Sequence, residues 1–441
     1  MTRNQSGIVG TTTAAVRRRS VGDLCVDKGF ITMSFELKYG DGATLRLDVP
    51  LEAVLADGSV PRGTPLSDPA AAVAVALAHP LDFPPLSQAV IPSDRVVLAL
   101  EDGLPAVAAI VAGVVGTLLD NGAQATNISL LLAPGSEKEF RKHATSGLTP
   151  ALRDNLEVTM HDPRDSAALS YLAASRAGHP IYFHRKLCDA DVVLPISTLR
   201  LKDSFGYVGV HGGLFPTFSD ETTQQRFRAP ANADWPAHRR RREEETDEAA
   251  WLLGIQCIVQ VAPGPGDSVL HVLAGSAPSI AEKGRILCEA AWRHRAPRRA
   301  SLVVATIEGG PDQQTWENFA RALFTASQAV VDGGAIVLCT NLCRAPGPAM
   351  KHLADVSRSD EEIDRSLRRE RSADANSATL LAQIQRRAQV YLLSGLDEDL
   401  VEELGLGHVV NAEAVQRLSR QHGSLILLGN AQHAVFAANE E

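Results

Sequence analysis

Short, continuously apolar runs that alternate with helical segments constrain the fold of this chain more than any other feature. The run RVVLAL at residues 95–100 has the length of one strand, and an unbroken apolar run is typical of a strand buried on both faces. The alternation continues with helix 106–121, strand 128–132, helix 136–143, strand 156–160 and strand 190–195. Strands separated by helices predict parallel βαβ units, and therefore a doubly wound α/β domain.

The alternation begins again after a Pro- and Arg-rich stretch at residues 294–299. Strand 301–306, helix 313–331, strand 335–340 and one charged helix at 361–387 follow. At roughly 150 residues per domain, 441 residues are enough for two or three domains. We predict two Rossmann-like, doubly wound α/β domains with a cleft between them, at residues 33–293 and 300–430. Residues 1–32 are expected to form a disordered tail.

A β-hairpin is predicted at the start of the fold. Apolar residues alternate with polar ones along residues 35–39 and 45–49, on either side of the turn Gly40-Asp41-Gly42. Alternation around a short glycine-containing turn is typical of a hairpin with one buried face. Its position in the chain assigns the hairpin to the first domain.

The charge balance excludes several classes of partner. A net charge of −9 leaves no broad basic surface for phosphates, so we expect no nucleic-acid partner. No segment approaches the roughly 20 apolar residues of a membrane span, so we expect no membrane partner. The six cysteines contain no CxxC pair, which indicates a reducing environment and a cytoplasmic location.

Several short motifs occur in a characteristic order along the chain. They are Glu101-Asp102-Gly103-Leu104-Pro105, residues 132–138, the sequence DADVVLP at residues 189–195, residues 202–216, and the Asp-Gly-Gly turn within residues 327–337. In this order they resemble the nickel-pincer lactate racemase family. The resemblance extends over roughly residues 35–428 and implies the two-domain fold of that family, with the site in the cleft.

The resemblance also implies a chemistry that this chain lacks the residues to perform. In the family, a lysine carries nickel bound to a nucleotide-derived pincer, and paired histidines move the proton while the metal complex takes a hydride. Aligned on this sequence, the lysine falls on Gly212, the two histidines on Glu137 and Lys202, and a nickel-binding histidine near Arg228. Leu104 replaces the substrate-side arginine. We therefore expect no nickel-pincer nucleotide and predict no cofactor.

The glycine-rich segment GYVGVHGGLFP at residues 206–216 is the best candidate for a site. Backbone amides of such a loop can approach an anion closely, and Lys and Arg side chains supply charge-assisted donors. We predict Lys202 and Glu137 as acid or base. The predicted substrate-binding residues are Glu101, Lys138, Gly209, His211, Gly212, Gly213 and Arg228. The alternative is a tight connection flanked by ordinary solvated charges, and no ligand spacing predicts a metal site.

Two functions of different class remain open. The first is a divergent racemase-like protein that binds a small hydroxycarboxylate or phosphorylated acid in the cleft, with isomerase-type activity on 2-hydroxy acids that does not use the pincer. The second is a non-catalytic protein that binds a small molecule or a partner protein. A small-molecule anion is the expected partner. Convergence of Glu137, Lys202 and His211 in one closed cleft would favour the enzyme.

Overall fold

The computed structural model describes residues 25–27, 30–60, 62–134, 138–229, 235–354 and 359–438. Its strands are β1 (Cys25–Asp27), β2 (Phe30–Tyr39), β3 (Ala43–Pro50), β4 (Val54–Gly58), β5 (Val96–Leu100), β6 (Ile128–Leu132), β7 (Glu157–Met160), β8 (Leu169–Ala174), β9 (Pro180–His184), β10 (Val192–Thr198), β11 (Ile258–Pro263), β12 (Val269–Gly275), β13 (Arg293–Ala296), β14 (Ala300–Thr306), β15 (Val330–Cys339), β16 (Gln389–Leu393), β17 (Gly407–His408), β18 (Leu425–Leu428) and β19 (Val435–Ala438). Its α-helices are α1 (Pro69–Ala78), α2 (Leu86–Ala89), α3 (Val107–Asp120), α4 (Lys138–Thr145), α5 (Pro150–Asn155), α6 (Arg185–Asp189), α7 (Glu221–Arg228), α8 (Trp235–Leu252), α9 (Ala277–Trp292), α10 (Trp316–Ala329), α11 (Asp360–Arg369), α12 (Ala375–Gln385), α13 (Glu398–Glu403) and α14 (Ala412–Gln421).

The first sheet has the strand order β12-β11-β10-β5-β6-β7. Strand β5 pairs in parallel with β10 on one side and with β6 on the other, and only the edge strand β12 is antiparallel to its neighbour. Every residue of β5 is buried, as its apolar sequence predicts for a strand covered on both faces. Strand order that runs outward in both directions from β5 confirms a doubly wound α/β arrangement.

The second sheet has the order β17-β16-β15-β14-β18-β4 and is parallel throughout. Helices α10 and α12 cover one face, where Phe319 and Leu381 pack against Val303 and Ile336. The predicted fold class, two α/β domains with parallel sheets, is therefore confirmed. The predicted helix at residues 361–387 is two helices, because α11 ends at Arg369 and α12 begins at Ala375.

The N-terminal hairpin has the predicted strands and turn but belongs to the second sheet. Leu37, Leu45 and Leu47 are fully buried against the face of that sheet opposite α10, in contact with Leu302 and Val304. Strand β4 joins the same sheet by pairing with β18. The assignment of residues 33–58 to the first domain was therefore wrong: a parallel sheet needs cover on both faces, and the hairpin supplies it here.

Two further segments differ from the expectation. Strand β13 overlaps the stretch expected to link the domains, residues 294–299, and pairs in parallel with β19 near the end of the chain. Strand β1 lies within the expected disordered tail and pairs with β2, while residues 1–24 lie outside the described residues. In the described part of the chain, no helix combines the length and apolarity needed to cross a bilayer.

The placement of the hairpin can be tested by core truncation. Leu45→Ala removes a fully buried side chain between the hairpin and the second sheet, so we expect a loss of about 3 kcal/mol in the free energy of unfolding. Urea denaturation measures this loss. The control Thr44→Ala, at the neighbouring exposed position, is expected to change stability by less than about 0.5 kcal/mol. Equal effects of both variants would contradict the packing.

Candidate functional site

A cavity of about 760 Å³ lies between the two sheets. The first sheet contributes the loops that follow β5, β6 and β10, so the cavity opens at the carboxyl ends of parallel strands. This is the edge where doubly wound sheets bind ligands, because the crossover loops leave a crevice there. The second sheet contributes residues from α10 and from the start of α12.

The glycine-rich loop forms one wall and is held against its neighbours. Gly209 has a φ of +109°, which favours glycine, and a Cβ at Gly213 would stand 2.6 Å from the Cβ of Ser197 on β10. The Thr246 hydroxyl on α8 donates to the Val208 carbonyl at 2.6 Å, and the Gln260 amide donates to the Val210 carbonyl at 2.9 Å. The close approach to β10 therefore requires glycine.

Glu101 and Arg200 form an ion pair at the base of the cavity. The Arg200 Nη1 donates to Glu101 Oε1 at 2.6 Å, and the other carboxylate oxygen accepts the Thr198 backbone amide at 2.8 Å. Burial opposes the charge on Arg200, but the carboxylates of Glu101 and Glu317 keep the pKa of Arg200 above its ordinary value. The loop after β5 and the loop after β10 are thereby tied together.

Arg228 ends α7 and reaches the cavity without an acidic partner. Its Nη2 donates to the Gln224 Oε1 at 2.9 Å, and Gln224 is oriented by its own donation to the Thr217 carbonyl at 2.9 Å. No carboxylate lies within ion-pair distance of Arg228 in the described part of the chain, although Glu317 and Glu221 act at longer range. Burial lowers the pKa of Arg228, as is expected for a partly buried cation without an adjacent carboxylate.

Helix α10 contributes a second ion pair from the opposite domain. Glu317 and Arg321 are paired one helical turn apart, and the Arg321 Nη1 also donates to the Asn318 Oδ1 at 2.8 Å. Arg321, together with Arg200 and Arg228, lowers the pKa of Glu317. The Glu317 side chain is nevertheless 65% exposed, because it projects into the water of the cleft. Arginines from both domains thus surround one cavity.

Asp102 also lines the cavity, directly after Glu101. Its Oδ1 accepts the adjacent Gly103 amide at 3.0 Å. Burial in the cleft, with the charge of Glu317, raises the pKa of Asp102 to about 6. The residue is exposed at the cavity surface, so its carboxyl group combines access to a ligand with titration near neutral pH.

Five of the sequence-predicted substrate-binding residues line the cavity: Glu101, Gly209, Gly212, Gly213 and Arg228. Lys202 lines it as well, but its Nζ pairs with Glu243 Oε2 of α8 at 3.2 Å. His211 is not among the lining residues. It is buried, and burial lowers the pKa of His211 to about 4, so the imidazole is neutral at physiological pH. Lys202 and His211 therefore do not converge in the cavity, although such convergence would have favoured the enzyme.

Two predicted residues lie at the edge of what the structure describes. Glu137 is outside the described residues, and Lys138 is described only as the first residue of α4. The acid or base role of Glu137 and the ligand contact of Lys138 stay predictions. No three His, Cys, Asp or Glu side chains within the described ranges are grouped so that they would hold a metal ion.

Sequence reasoning did not select Arg200, Arg321 or Asp102. Arg321 lies more than a hundred residues from the glycine-rich loop, and only the meeting of two domains brings it to the cavity. Arg200 and Asp102 carried a usable signal, because each follows the carboxyl end of a buried strand of the first sheet. A charged residue close behind a buried strand is the sequence pattern that indicates Arg200 and Asp102 as candidates.

This chain is similar to one known protein family and to two solved structures. Residues 39–231 match the lactate racemase N-terminal domain family. The lactate racemase apoprotein from Thermoanaerobacterium thermosaccharolyticum superposes with a TM-score of 0.75 at 16% identity, covering 92% of this chain and 100% of that one. A Thermotoga maritima protein solved by structural genomics gives a TM-score of 0.61 at 14% identity, covering 86% and 99%. At these identities the superpositions establish the fold alone. Comparison with curated proteins gave no match.

Proposed function

We propose that the interdomain cavity of this chain, whose residues 39–231 match the lactate racemase N-terminal domain family, binds a small hydroxycarboxylate or phosphorylated acid. The observation that carries the proposal is Arg228, a partly buried guanidinium that faces the cavity with only a neutral amide as its hydrogen-bond partner. A buried cation without a counter-ion is costly, and a bound anion removes that cost. A carboxylate or phosphate also matches the two-pronged donor geometry of arginine.

The surrounding charges support the same proposal. Arg200, Lys202, Arg285 and Arg321 also line the cavity, but each pairs with a carboxylate of the protein. The pKa of His433 falls to about 3 through burial, with further lowering by Arg200 and Arg321. Arg200 and Arg321 therefore oppose protonation near the cavity, and their positive charge would favour a bound anion.

The residues aligned with the cofactor positions of the family do not fit a nickel-pincer nucleotide. Gly212 stands where a lysine would be required, and a Cβ there would lie 2.9 Å from the Val208 Cγ2. Arg228 stands near the position of a nickel-binding histidine, and a guanidinium that stays protonated has no lone pair for a metal. We therefore assign no step to this group.

A second candidate function is isomerase-type chemistry on the bound 2-hydroxy acid. Asp102 favours it, because this carboxyl group faces the cavity and has a pKa of about 6. Acting as a base, it would take the proton from C2 of the substrate, and an acid on the other face would return one, leaving the composition unchanged. Lys202 and Glu137 keep the acid or base roles predicted from the sequence.

The proposal includes a cytoplasmic location and a small-molecule anion as partner. The five cysteines whose side chains the structure describes, Cys188, Cys257, Cys288, Cys339 and Cys343, are all free thiols. Free thiols throughout a chain are typical of proteins from a reducing compartment.

Substitution of Arg228 tests the anion site. We expect glycolate or lactate to raise the melting temperature of the wild type, because a ligand that binds only the folded state stabilises it. Arg228→Ala should weaken binding about tenfold or more, the effect of losing a charge-assisted hydrogen bond. Raising the ionic strength should weaken binding in the wild type.

Arg240→Ala is the matched control, since it also removes one arginine but at an exposed position on α8, where Arg240 pairs with Glu244. Calorimetric titration of both variants gives the affinities. Equal binding by Arg228→Ala and Arg240→Ala would contradict the proposed site.

The cofactor expectation is tested by mass and metal analysis. We expect the intact mass of the purified chain to equal that of its sequence, and its nickel content to be far below one per chain, because no lysine stands at position 212. Peptide mapping covers the remaining lysines. A covalent adduct on Lys202, or stoichiometric nickel, would show that the alignment is wrong.

Proton exchange tests the second candidate. If Asp102 is the base, exchange of the C2 proton of lactate with D₂O should increase as the pH rises through about 6, since the carboxylate is the active form. NMR measures the exchange. Asp102→Asn should abolish it, whereas Glu282→Gln, which also removes a cavity-lining carboxylate, should retain it. Absence of exchange in the wild type would leave anion binding as the function.

A further inference from the structure

The start of helix α12 opens into the same cavity on the side of the second domain. Ala373, Asn376 and Ser377 line the cavity there. Helix α12 has eleven residues, and its first turn contributes two of these lining residues, Asn376 and Ser377. The amino end of a helix carries partial positive charge and amides that lack partners within the helix.

The residue at the N-cap position of α12 does not cap the helix with its side chain. Asp374 stands at the N-cap position, but its carboxylate accepts the backbone amides of Ala349 and Met350, at 3.3 and 2.9 Å. The Ala375 amide donates to the Ser372 carbonyl, whereas the amides of Asn376 and Ser377 have no acceptor among the described residues. Two donors at the amino end of α12 therefore remain available.

Ser377 is a second and independent indication of a ligand. This residue is only 4% exposed and lines the cavity, and its hydroxyl makes no hydrogen bond within the described part of the chain. A hydroxyl that opens onto a cavity and has no partner in the protein can donate to a group bound there. A group bound in the cavity, accepting from the Ser377 hydroxyl and the two amides, would supply it.

The charges near α12 are compatible with an anion. Arg321 lies on α10, which packs against α12, and it lines the same cavity. The nearby carboxylates are Glu317, which is paired with Arg321, and Asp374, which is bonded to two amides; Glu282 faces the cavity from α9. The donors at α12 are neutral, so they suit a group that offers several acceptor oxygens.

We propose that the cavity binds one ligand with two anionic ends, a phosphorylated small carboxylic acid, whose phosphate lies at the amino end of α12 and whose carboxylate lies at Arg228. The inference rests on the proposed function for the carboxylate end and adds the phosphate end. A phosphate offers enough oxygens for two amides and a hydroxyl, and the planar carboxylate suits the arginine. A cavity of about 760 Å³ has room for a ligand that reaches both walls.

The test uses three ligands. Phosphoglycolate carries both a carboxylate and a phosphate, glycolate carries the carboxylate without the phosphate, and inorganic phosphate lacks the carboxylate. Asn376→Asp places a negative charge where the phosphate would lie, yet an acidic residue in the first turn favours the helix, so folding is preserved. We expect phosphoglycolate and inorganic phosphate to bind Asn376→Asp at least about tenfold more weakly, with glycolate affinity changed much less. Ser377→Ala should weaken the two phosphate ligands in the same direction.

Thr379→Ala is the matched control, because this α12 hydroxyl bonds to the Ala375 carbonyl and does not line the cavity. Its affinity for phosphoglycolate should equal that of the wild type. Inorganic phosphate should still bind Arg228→Ala, which separates the two ends. If phosphoglycolate binding depends on Arg228 but not on Asn376 or Ser377, the phosphate position is wrong and the carboxylate site stands. If none of the three ligands binds the wild type, both proposals fail.

Discussion

The carboxylate of Glu101 is the contact on which the geometry of the cleft depends. One oxygen accepts the Thr198 amide and the other pairs with Arg200, so a single side chain joins the ends of β5 and β10. The loop that continues from β10 can then pass close to the sheet, because Gly213 has no Cβ to meet Ser197. A partly buried pair of this kind costs desolvation and is maintained by complementary hydrogen bonds, so removing either partner leaves an uncompensated charge.

Hydrogen bonds between distant parts of the chain join the two domains at the cleft. The Asn430 side chain accepts the Gly266 amide of the first domain and donates to Glu308 of the second, at 2.9 Å in each case. The Gln313 side chain donates to the Gly103 carbonyl across the same boundary at 3.0 Å. These bonds hold the two sheets so that α10 and α12 face the loops of the first domain. Neither domain alone has the complete set of cavity residues.

The proposed anion site depends on charges that are fixed near neutral pH. Arg200, Arg228 and Arg321 remain protonated across the physiological range, whereas His211 is buried outside the cavity and neutral. Asp102 is the cavity group whose pKa, about 6, lies near neutrality. A site built on fixed charge therefore differs in kind from one built on imidazoles, although the surrounding fold is shared.

The sequence by itself determined the elements and the class of fold. Apolar runs such as residues 95–100 and 128–132 became strands β5 and β6, because burial on both faces imposes a local pattern that can be read without the partners. The glycines of the loop and Arg228 were also recognisable. The absence of a side chain in glycine and the permanent charge of arginine are properties of the residue type, and the sequence gives them directly. Tertiary structure alone decided that the hairpin covers the second sheet, that Lys202 pairs with Glu243, and that Arg321 and Ser377 reach the cavity. Those outcomes depend on which distant surfaces meet, and local periodicity carries no information about that choice.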